Sequence, residues 1–279
     1  MTLFGFIFSF VLCHLTLNVC CAEEHHPRYI SLAPSTTEIL FALGLADEVV
    51  GVSTYCNYPP QVKQKPKVGD FSSPNMEKII ALKPDYIFCT GLEQTPVIGS
   101  LRRQHLEVYI SDPSNVRELL DSILYIGKLT KREKEAEGLI KAMEDSLAAL
   151  RSESDAVPVE QRPRVFIEIW HDPLTTVGRG SFVDELIAIA GGVNVASDTR
   201  RPYSIFSPEE VIVRDPEVII MAYMEKASSL SVIKRRMGWG GISAVRYARV
   251  YNDIDPDILL RPGPRIVQGA QELHRRFYR

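Results

Sequence analysis

The chain has 279 residues, 45% of them apolar, and carries a formal net charge of −3 from 32 basic and 35 acidic side chains. A chain of this length and composition can bury a substantial core, either as one large domain or as two small ones. Its near-neutral balance lacks the excess of lysine and arginine that neutralises phosphates, which argues against a nucleic-acid partner.

An apolar run occupies residues 1–22 and ends in small residues, with Cys20 and Ala22 placed as they would be before a signal-cleavage site. We therefore predict a signal peptide over residues 1–22, export to the periplasm and a mature chain that starts near Glu23. Two alternatives stay open: a retained anchor, because no lysine or arginine precedes the run, and a lipoprotein, because a cysteine after small residues can be acylated. No later stretch approaches the roughly 20 apolar residues that span a bilayer, so we expect neither a channel nor a permease.

The predicted mature chain keeps two cysteines, Cys56 and Cys89, each at or just beyond the end of a predicted strand. An oxidising compartment could pair them in a disulfide. Two buried free thiols fit the sequence equally well.

Residues 28–127 alternate short apolar runs with amphipathic stretches, in the order YISLAP, TTEILFALGL, EVVGVS, MEKIIALK, DYIFCT and EVYIS. Strands rich in Ile, Val and Tyr with helices between them predict a mainly parallel sheet that is covered on both faces. We assign these residues to an N-terminal α/β lobe.

A long amphipathic helix is predicted over residues 131–152, and it would span about 33 Å. Apolar residues recur there at helical spacing among charged ones: Leu139, Ile140, Met143, Leu147 and Leu150. The polar, proline-containing stretch that follows cannot continue a helix and indicates a domain boundary.

Residues 163–279 repeat the first pattern, with strands at RVFIEIW, EVIIMAY and ARVYNDI and helices at SFVDELIAIAGG and PEEVIVRD. The sequence therefore predicts an α/β protein with two Rossmann-like lobes, mainly parallel sheets, one joining helix and a ligand cleft between the lobes.

Two pairs of segments suggest that the lobes share an architecture. The residues from Glu77 to Phe88 align without gaps with those from Glu209 to Ile220, and EILFALG at 38–44 resembles ELIAIAG at 185–191. Each of the latter ends at a glycine, the expected residue for a left-handed helix cap. The alternative to a shared architecture is a pattern common to α/β proteins, in which proline ends a helix and favours an extended residue before it.

No motif of an enzyme is present: the sequence lacks a nucleophile elbow, a phosphate-binding loop, HExxH and CxxC. We therefore predict a protein that is not an enzyme. The glycines of GRGSF at 178–182 precede a helix N-terminus and could hold an anion, or could form a turn with Ser181 as the N-cap. Since only His171 among the histidines follows a strand end, we predict no metal site.

Aromatic side chains follow several of the predicted strands, where open α/β sheets bind ligands. Tyr55, Trp170 and Tyr203 lie among turn residues, and Phe71 precedes a helix. In a cleft, such rings suit a large and partly apolar ligand with polar edges. Packing in the core is the alternative, and for Phe71 it fits the sequence as well as the cleft does.

A polar loop with several prolines precedes the last predicted helix and contains Asp257, Arg261 and Arg265. Its charged groups could hydrogen-bond the edge of a ligand, or could cap that helix.

The chain resembles the periplasmic binding proteins of iron-siderophore and cobalamin ABC importers over essentially its whole predicted mature length. The resemblance rests on RYISLAPSTTEILFALG, GVSTYCNYPP, NMEKIIALKPD, TTVGRGSFVDELIAIAGGVN and SPEEVIVRDPEVII. GVSTYCNYPP followed by KVGDFSSPNMEKI is most similar to the cobalamin-binding branch.

The resemblance implies a monomer that binds a corrinoid between two lobes and needs no cofactor beyond that transported ligand. The residues that would bind the ligand are Tyr55, Phe71, Trp170 and Tyr203 in the cleft, with Asp257 and Arg261 at its C-terminal wall. The family's aromatic near Trp170 stands one residue earlier. A ferric siderophore or haem on the same scaffold is an alternative, and a nitrogenase-like metal-cluster protein that uses cysteine ligands is another.

The resemblance also implies that Glu77 and Glu209 meet arginines on the two membrane subunits of the importer. Two matched lobes can present two matched acids to a permease with two-fold symmetry. The alternative is that each glutamate only stabilises the N-terminus of its own helix.

Overall fold

The structure is a computed structural model that describes residues 26–91, 94–224 and 230–278. The signal peptide predicted over residues 1–22 lies outside these ranges. Within them, no helix has both the length and the apolar composition needed to cross a bilayer.

The first sheet has four parallel strands in the order β2-β1-β3-β4. Together with helices α1 to α4 it forms what we call the N-terminal lobe, and its alternating strands and helices agree with the sequence prediction. The strands are β1 (Tyr29–Ser31), β2 (Val49–Val52), β3 (Tyr86–Cys89) and β4 (Val108–Ile110). The helices are α1 (Pro34–Ala42), α2 (Met76–Ala81), α3 (Thr95–Arg103) and α4 (Val116–Thr130).

The longest helix, α5 (Glu133–Asp155), has 23 residues and connects the two sheets in sequence. Its apolar side is buried at Met143, Leu147 and Leu150, as the helical spacing predicts. Lys131, whose backbone adopts the left-handed helical conformation, ends α4 and separates it from α5. The helix predicted over residues 131–152 corresponds to α5, and α4, which packs on it, was not predicted from the sequence.

The second sheet is mixed, whereas the sequence predicts a mainly parallel one. β5 runs parallel to β9 and β7 but antiparallel to β6, which in turn is antiparallel to β8. A tight turn at Asp172 and Pro173 reverses the chain directly after β5. The strands beyond this turn are short, so their alternation is too brief to predict strands from sequence.

The second sheet and helices α6 to α11 form the C-terminal lobe. The strands are β5 (Arg164–His171), β6 (Leu174–Val177), β7 (Val193–Asn194), β8 (Tyr203–Ile205), β9 (Val218–Met221) and β10 (Val250–Tyr251). The helices are α6 (Phe182–Ile189), α7 (Pro208–Arg214), α8 (Ser231–Arg235), α9 (Ser243–Arg246), α10 (Asp257–Leu260) and α11 (Ile266–Phe277).

The segments that align in sequence adopt the same structure in each lobe. In both, a short helix, α2 or α7, leads into a strand, β3 or β9, that pairs in parallel with the first strand of its sheet. Gly44 and Gly191 end the other matched pair of helices with φ values of 76° and 81°, a conformation that glycine adopts readily.

The largest apolar core contains residues of both lobes and of the helix between them. Phe88 of β3, Met143 of α5 and Ile167 of β5 all belong to it. Two smaller cores lie on the other faces of the sheets, one within each lobe. The lobes therefore share a continuous buried interior.

Cys56 and Cys89 are buried free thiols, which decides between the two alternatives left open by the sequence. Cys56 belongs to the shared core and Cys89 to the small core of the N-terminal lobe, on the other face of the sheet. The Thr37 hydroxyl donates to Cys56 Sγ at 3.0 Å. Burial raises the pKa of the Cys89 thiol to about 12, so its reactive thiolate is scarce at neutral pH.

We expect Ellman's reagent to label neither thiol quickly in the folded mature chain and both of them after unfolding in urea. Burial excludes the reagent from both thiols, and the raised pKa of Cys89 also disfavours the thiolate of that residue. Two reactive thiols in the unfolded, unreduced protein agree with the structure, whereas none would indicate a disulfide and contradict it.

Urea should unfold the mature chain in one cooperative transition, because a core shared by both lobes couples their stability. Both tryptophans, Trp170 and Trp239, lie in the C-terminal lobe. Their fluorescence therefore reports that lobe, while far-UV circular dichroism reports both. Midpoints that differ between the two signals would show that the lobes unfold separately.

Candidate ligand-binding site

The loop after β2 forms one side of the candidate site. Tyr55 lies in it with 56% of its surface exposed, and the backbone N–H of Thr54 donates to the Gly69 carbonyl at 2.9 Å. Phe71 lies two residues after Gly69 and is half-buried. Its carbonyl accepts a hydrogen bond from Gln94 Nε2 at 2.9 Å. Since Gln94 also binds Thr90 at the end of β3, Tyr55 and Phe71 both lie near the carboxyl ends of the first sheet.

Asp257 and Arg261 lie against the same loop. Asp257 Oδ2 is 2.9 Å from Arg261 Nη1, and it accepts from Asn57 Nδ2 at 2.9 Å. Arg261 Nη1 donates to the Asn57 side-chain oxygen, Oδ1, at 2.8 Å. The two residues implied to contact ligand therefore already contact each other and the N-terminal lobe. Arg261 Nε is buried and, like four other side-chain nitrogens of the described residues, has no hydrogen-bond partner.

A second ion pair joins the lobes beside this group. Arg265 donates from Nε and Nη2 to the two oxygens of Glu38, at 2.9 Å and 2.6 Å. The Arg265 guanidinium also lies 4.0 Å from the centre of the Tyr58 ring. Burial raises the pKa of the Glu38 carboxyl above its ordinary value, although the hydrogen bonds from Arg265 offset part of this effect. Glu38 was not predicted as a contact residue, although it stands directly before the apolar half of α1.

Exposed apolar side chains cover part of one face of the second sheet. Trp170 pairs with Thr175 of β6, which pairs with Ile205 of β8. Directly paired residues share a face, and so do residues two apart on one strand, which adds Tyr203. Trp170, Tyr203 and Ile205 are 38%, 51% and 73% exposed. Ile205 was missed from sequence because β8 was not predicted.

A bulge in β5 sets the direction of Trp170. The register shifts between Glu168 and Trp170, so both Ile169 and Trp170 oppose Thr175. A bulge of this kind turns a side chain that would point to the opposite face. Ile169 and Trp170 can therefore face the same side of the sheet.

A buried charged cluster lies where the middle of β5 meets the carboxyl end of β9. Arg236 donates to both oxygens of Glu168, at 2.7 Å and 2.6 Å, and the Tyr223 hydroxyl donates to the same carboxylate. Burial and the hydrogen bond to Glu168 raise the pKa of Tyr223. The cluster neutralises its own charge and links the two strands. The cluster was not predicted from the sequence, although Glu168 stands between apolar residues of β5.

Glu77 and Glu209 occupy equivalent positions, each as the second residue of a short helix. The N-cap side chain, Asn75 or Ser207, accepts from the backbone N–H three residues later in both helices. Both glutamates are exposed. Hydrogen bonds from its own backbone N–H and from Ser207 lower the pKa of Glu209, which keeps this carboxylate ionised.

Ser181 is the N-cap of α6, because its hydroxyl accepts from the Asp184 N–H at 3.1 Å. This supports the capping interpretation of GRGSF over the anion-binding one.

Separately, a surface depression of about 320 Å³ lies at the end of β4. It is lined by residues such as Tyr109, Asp112 and Tyr125 and includes none of the candidate site residues.

Residues 30–256 match the family described as periplasmic binding protein. One relative is an uncharacterised ABC transporter substrate-binding lipoprotein, YvrC, of Bacillus subtilis (strain 168). It is 34% identical over 261 residues, which are 92% of this chain and 81% of the relative.

Two solved structures show the same fold. The periplasmic vitamin B12 binding protein BtuF of Vibrio cholerae has 30% identity and a TM-score of 0.75, with 90% of this chain and 96% of that one covered. The apo form of the periplasmic heme-binding protein RhuT from Roseiflexus sp. RS-1 has 26% identity and a TM-score of 0.80, with 91% and 98% covered. The two-lobed α/β fold predicted from the sequence is thereby confirmed, and the chain belongs to the periplasmic binding protein family, the substrate-binding proteins of ABC importers.

Proposed function

We propose that this protein binds cobalamin or a related corrinoid and delivers it to the membrane subunits of an ABC importer. The observation that carries the proposal is the exposed apolar surface formed by Trp170, Tyr203 and Ile205. It lies near the carboxyl end of β5, and open α/β sheets bind ligands at the carboxyl ends of their strands. A corrin ring is broad and partly apolar, so it can bury such side chains, while its amide edges can hydrogen-bond polar groups.

The N-terminal side of the proposed cleft supports the same ligand class. Tyr55 adds a further exposed ring, and Phe71 lies at the same end of its sheet. Asp257 and Arg261 act through Asn57 in this proposal, because their charged atoms already bind that side chain. The similarity to a structure described as a vitamin B12 binding protein is consistent with this ligand.

Haem or a ferric siderophore is the second candidate ligand. Arg200 and Arg201 are exposed two to three residues before Tyr203, and they could pair with the carboxylates of haem. Exposed His171 and Tyr55 are side chains of the kind that ligate haem iron. A metal-cluster protein is disfavoured, because the two cysteines of the described ranges lie buried in separate cores.

We also propose that the protein is exported by residues 1–22 and acts as a periplasmic monomer without catalytic activity. The name of the Bacillus subtilis relative, a lipoprotein, supports a lipid-anchored alternative. In either case the protein would meet the membrane subunits through Glu77 and Glu209, which the duplicated helix–strand units present in matching local settings.

Cyanocobalamin mixed with the mature chain should remain bound after desalting, with its visible absorbance at one corrinoid per protein. We expect Trp170→Ala and Tyr203→Ala each to weaken binding by about 10- to 100-fold, since a buried aromatic side chain contributes roughly 1.5–3 kcal/mol. Isothermal titration calorimetry measures the change.

Tyr247→Ala is the matched control, because Tyr247 is an exposed tyrosine that precedes β10 and so lies at the opposite end of the sheet. It should bind like the wild type. If haemin binds instead, and Arg200→Ala with Arg201→Ala weakens it, the second candidate is correct and the corrinoid proposal is wrong.

The double variant Glu77→Ala/Glu209→Ala should bind ligand normally and fail to stimulate ATP hydrolysis by its importer in proteoliposomes. The reason is that this variant loses both carboxylates proposed to contact the membrane subunits, while the proposed ligand-binding residues are unchanged. Glu107→Ala/Glu160→Ala removes two exposed acids elsewhere and matches the change in net charge. Equal stimulation by both double variants would contradict the docking role.

A further inference from the structure

The matched helices α1 and α6 each carry a glutamate that contacts the opposite lobe. Glu38 begins the segment EILFALG in α1, and Glu185 begins the aligned segment ELIAIAG in α6. Neither glutamate belongs to the proposed ligand surface or to the docking helices. Their equivalent positions therefore call for another explanation.

Glu38 makes the stronger contact. Its side chain is 3% exposed, and both of its oxygens accept from Arg265 of the C-terminal lobe at 2.9 Å and 2.6 Å. A bidentate arginine–carboxylate pair fixes orientation as well as distance. Because Glu38 is buried, separating the pair would leave its carboxylate without a charged partner, whereas Arg265 would keep Asp255 at 3.8 Å. We call this contact the Glu38 brace.

Glu185 makes the weaker contact. Its Oε2 accepts from the Val116 N–H at 2.8 Å, and Oε1 lies 3.5 Å from Arg151 Nη2 of α5. Val116 is the first residue of α4, so its N–H has no acceptor within that helix. The Glu185 side chain is 30% exposed, which lets water replace the contact at lower cost. We call this contact the Glu185 brace.

The two braces are reciprocal. Arg265 is the N-cap residue of α11, the last helix of the C-terminal lobe. Val116 begins α4, the last helix of the N-terminal lobe. In each case the glutamate on the first helix of one lobe meets the start of the last helix of the other lobe.

We infer that Glu38 and Glu185 are positioning residues that set the angle between the lobes, with the Glu38 brace as the fixed point and the Glu185 brace as the side that opens. The inference follows from their equivalent places in the two lobes and from the difference in burial and bonding between them. The angle in turn sets the width of the proposed cleft and the spacing of α2 and α7. Only the consequence for docking rests on the proposed roles of Glu77 and Glu209.

Spin labels on Ile80→Cys of α2 and Val213→Cys of α7 would measure that spacing directly. Both positions are exposed on the matched helices, whereas Cys56 and Cys89 are buried and should stay unlabelled. Double electron–electron resonance should give one narrow distance distribution for the otherwise unchanged protein. Glu38→Gln should shift and widen it, and Glu185→Gln should widen it less.

The matched control is Glu217→Gln, because Glu217 accepts from the Arg164 N–H within the C-terminal lobe. It should keep the narrow distribution. Circular dichroism and the thermal midpoint identify any variant that has lost its fold. If Glu38→Gln does not fold, Glu185→Gln still tests the inference, because its contact is partly exposed and involves one backbone group.

A narrow, unshifted distribution in every folded glutamate variant would overturn the inference, and so would a larger effect of Glu185→Gln than of Glu38→Gln. The measurement uses the ligand-free protein, so its result does not depend on which ligand is natural. In a separate titration with cyanocobalamin, affinity should fall in proportion to the fraction of molecules that leave the binding-competent angle. Failure of the corrinoid proposal would appear there alone.

Discussion

The buried ion pair between Glu38 and Arg265 connects two parts of the chain that are 227 residues apart. Removing two charges from water is costly, and the cost is recovered only when geometry and additional contacts are favourable. Here the pair is bidentate, and the Tyr58 ring covers the guanidinium. Arg265 lies in the same segment as Asp257 and Arg261. One ion pair therefore helps to fix both this segment and the loop after β2.

The shared core makes that arrangement stiff. Because the largest apolar cluster contains residues of both lobes and of α5, a large hinge movement would expose apolar surface as well as break the ion pair. Smaller movements of the lobes are accommodated more easily where contacts are few and partly exposed to water, as they are between Glu185 and Val116. The duplicated units α2–β3 and α7–β9 are attached to this stiff frame, so their exposed glutamates have a defined separation before any partner binds.

Local signals carried most of what could be predicted from sequence. Helical spacing predicted the buried side of α5. The gapless alignment of two segments predicted that Glu77 and Glu209 occupy equivalent positions, which the second residues of α2 and α7 do. The hairpin after β5 was missed because its strands are too short to show alternation. The partners of Glu38, Glu168 and Asp257 were missed for another reason: each contact joins residues far apart in the chain, and no local pattern encodes it.

The same contacts limit which ligands the surfaces of the proposed cleft can bind. Arg236, Arg261 and Arg265 each lie against a carboxylate, so they add little net charge to the surfaces near them. Walls of this kind suit a ligand whose edges are neutral amides, because such a ligand needs hydrogen bonds and apolar contact more than a counter-charge. A ligand with carboxylates would instead depend on exposed cations such as Arg200 and Arg201, two to three residues before Tyr203. In the proposed function, discrimination between a corrinoid and haem would therefore depend on that loop, where a few side chains can change without disturbing the paired charges that connect the lobes.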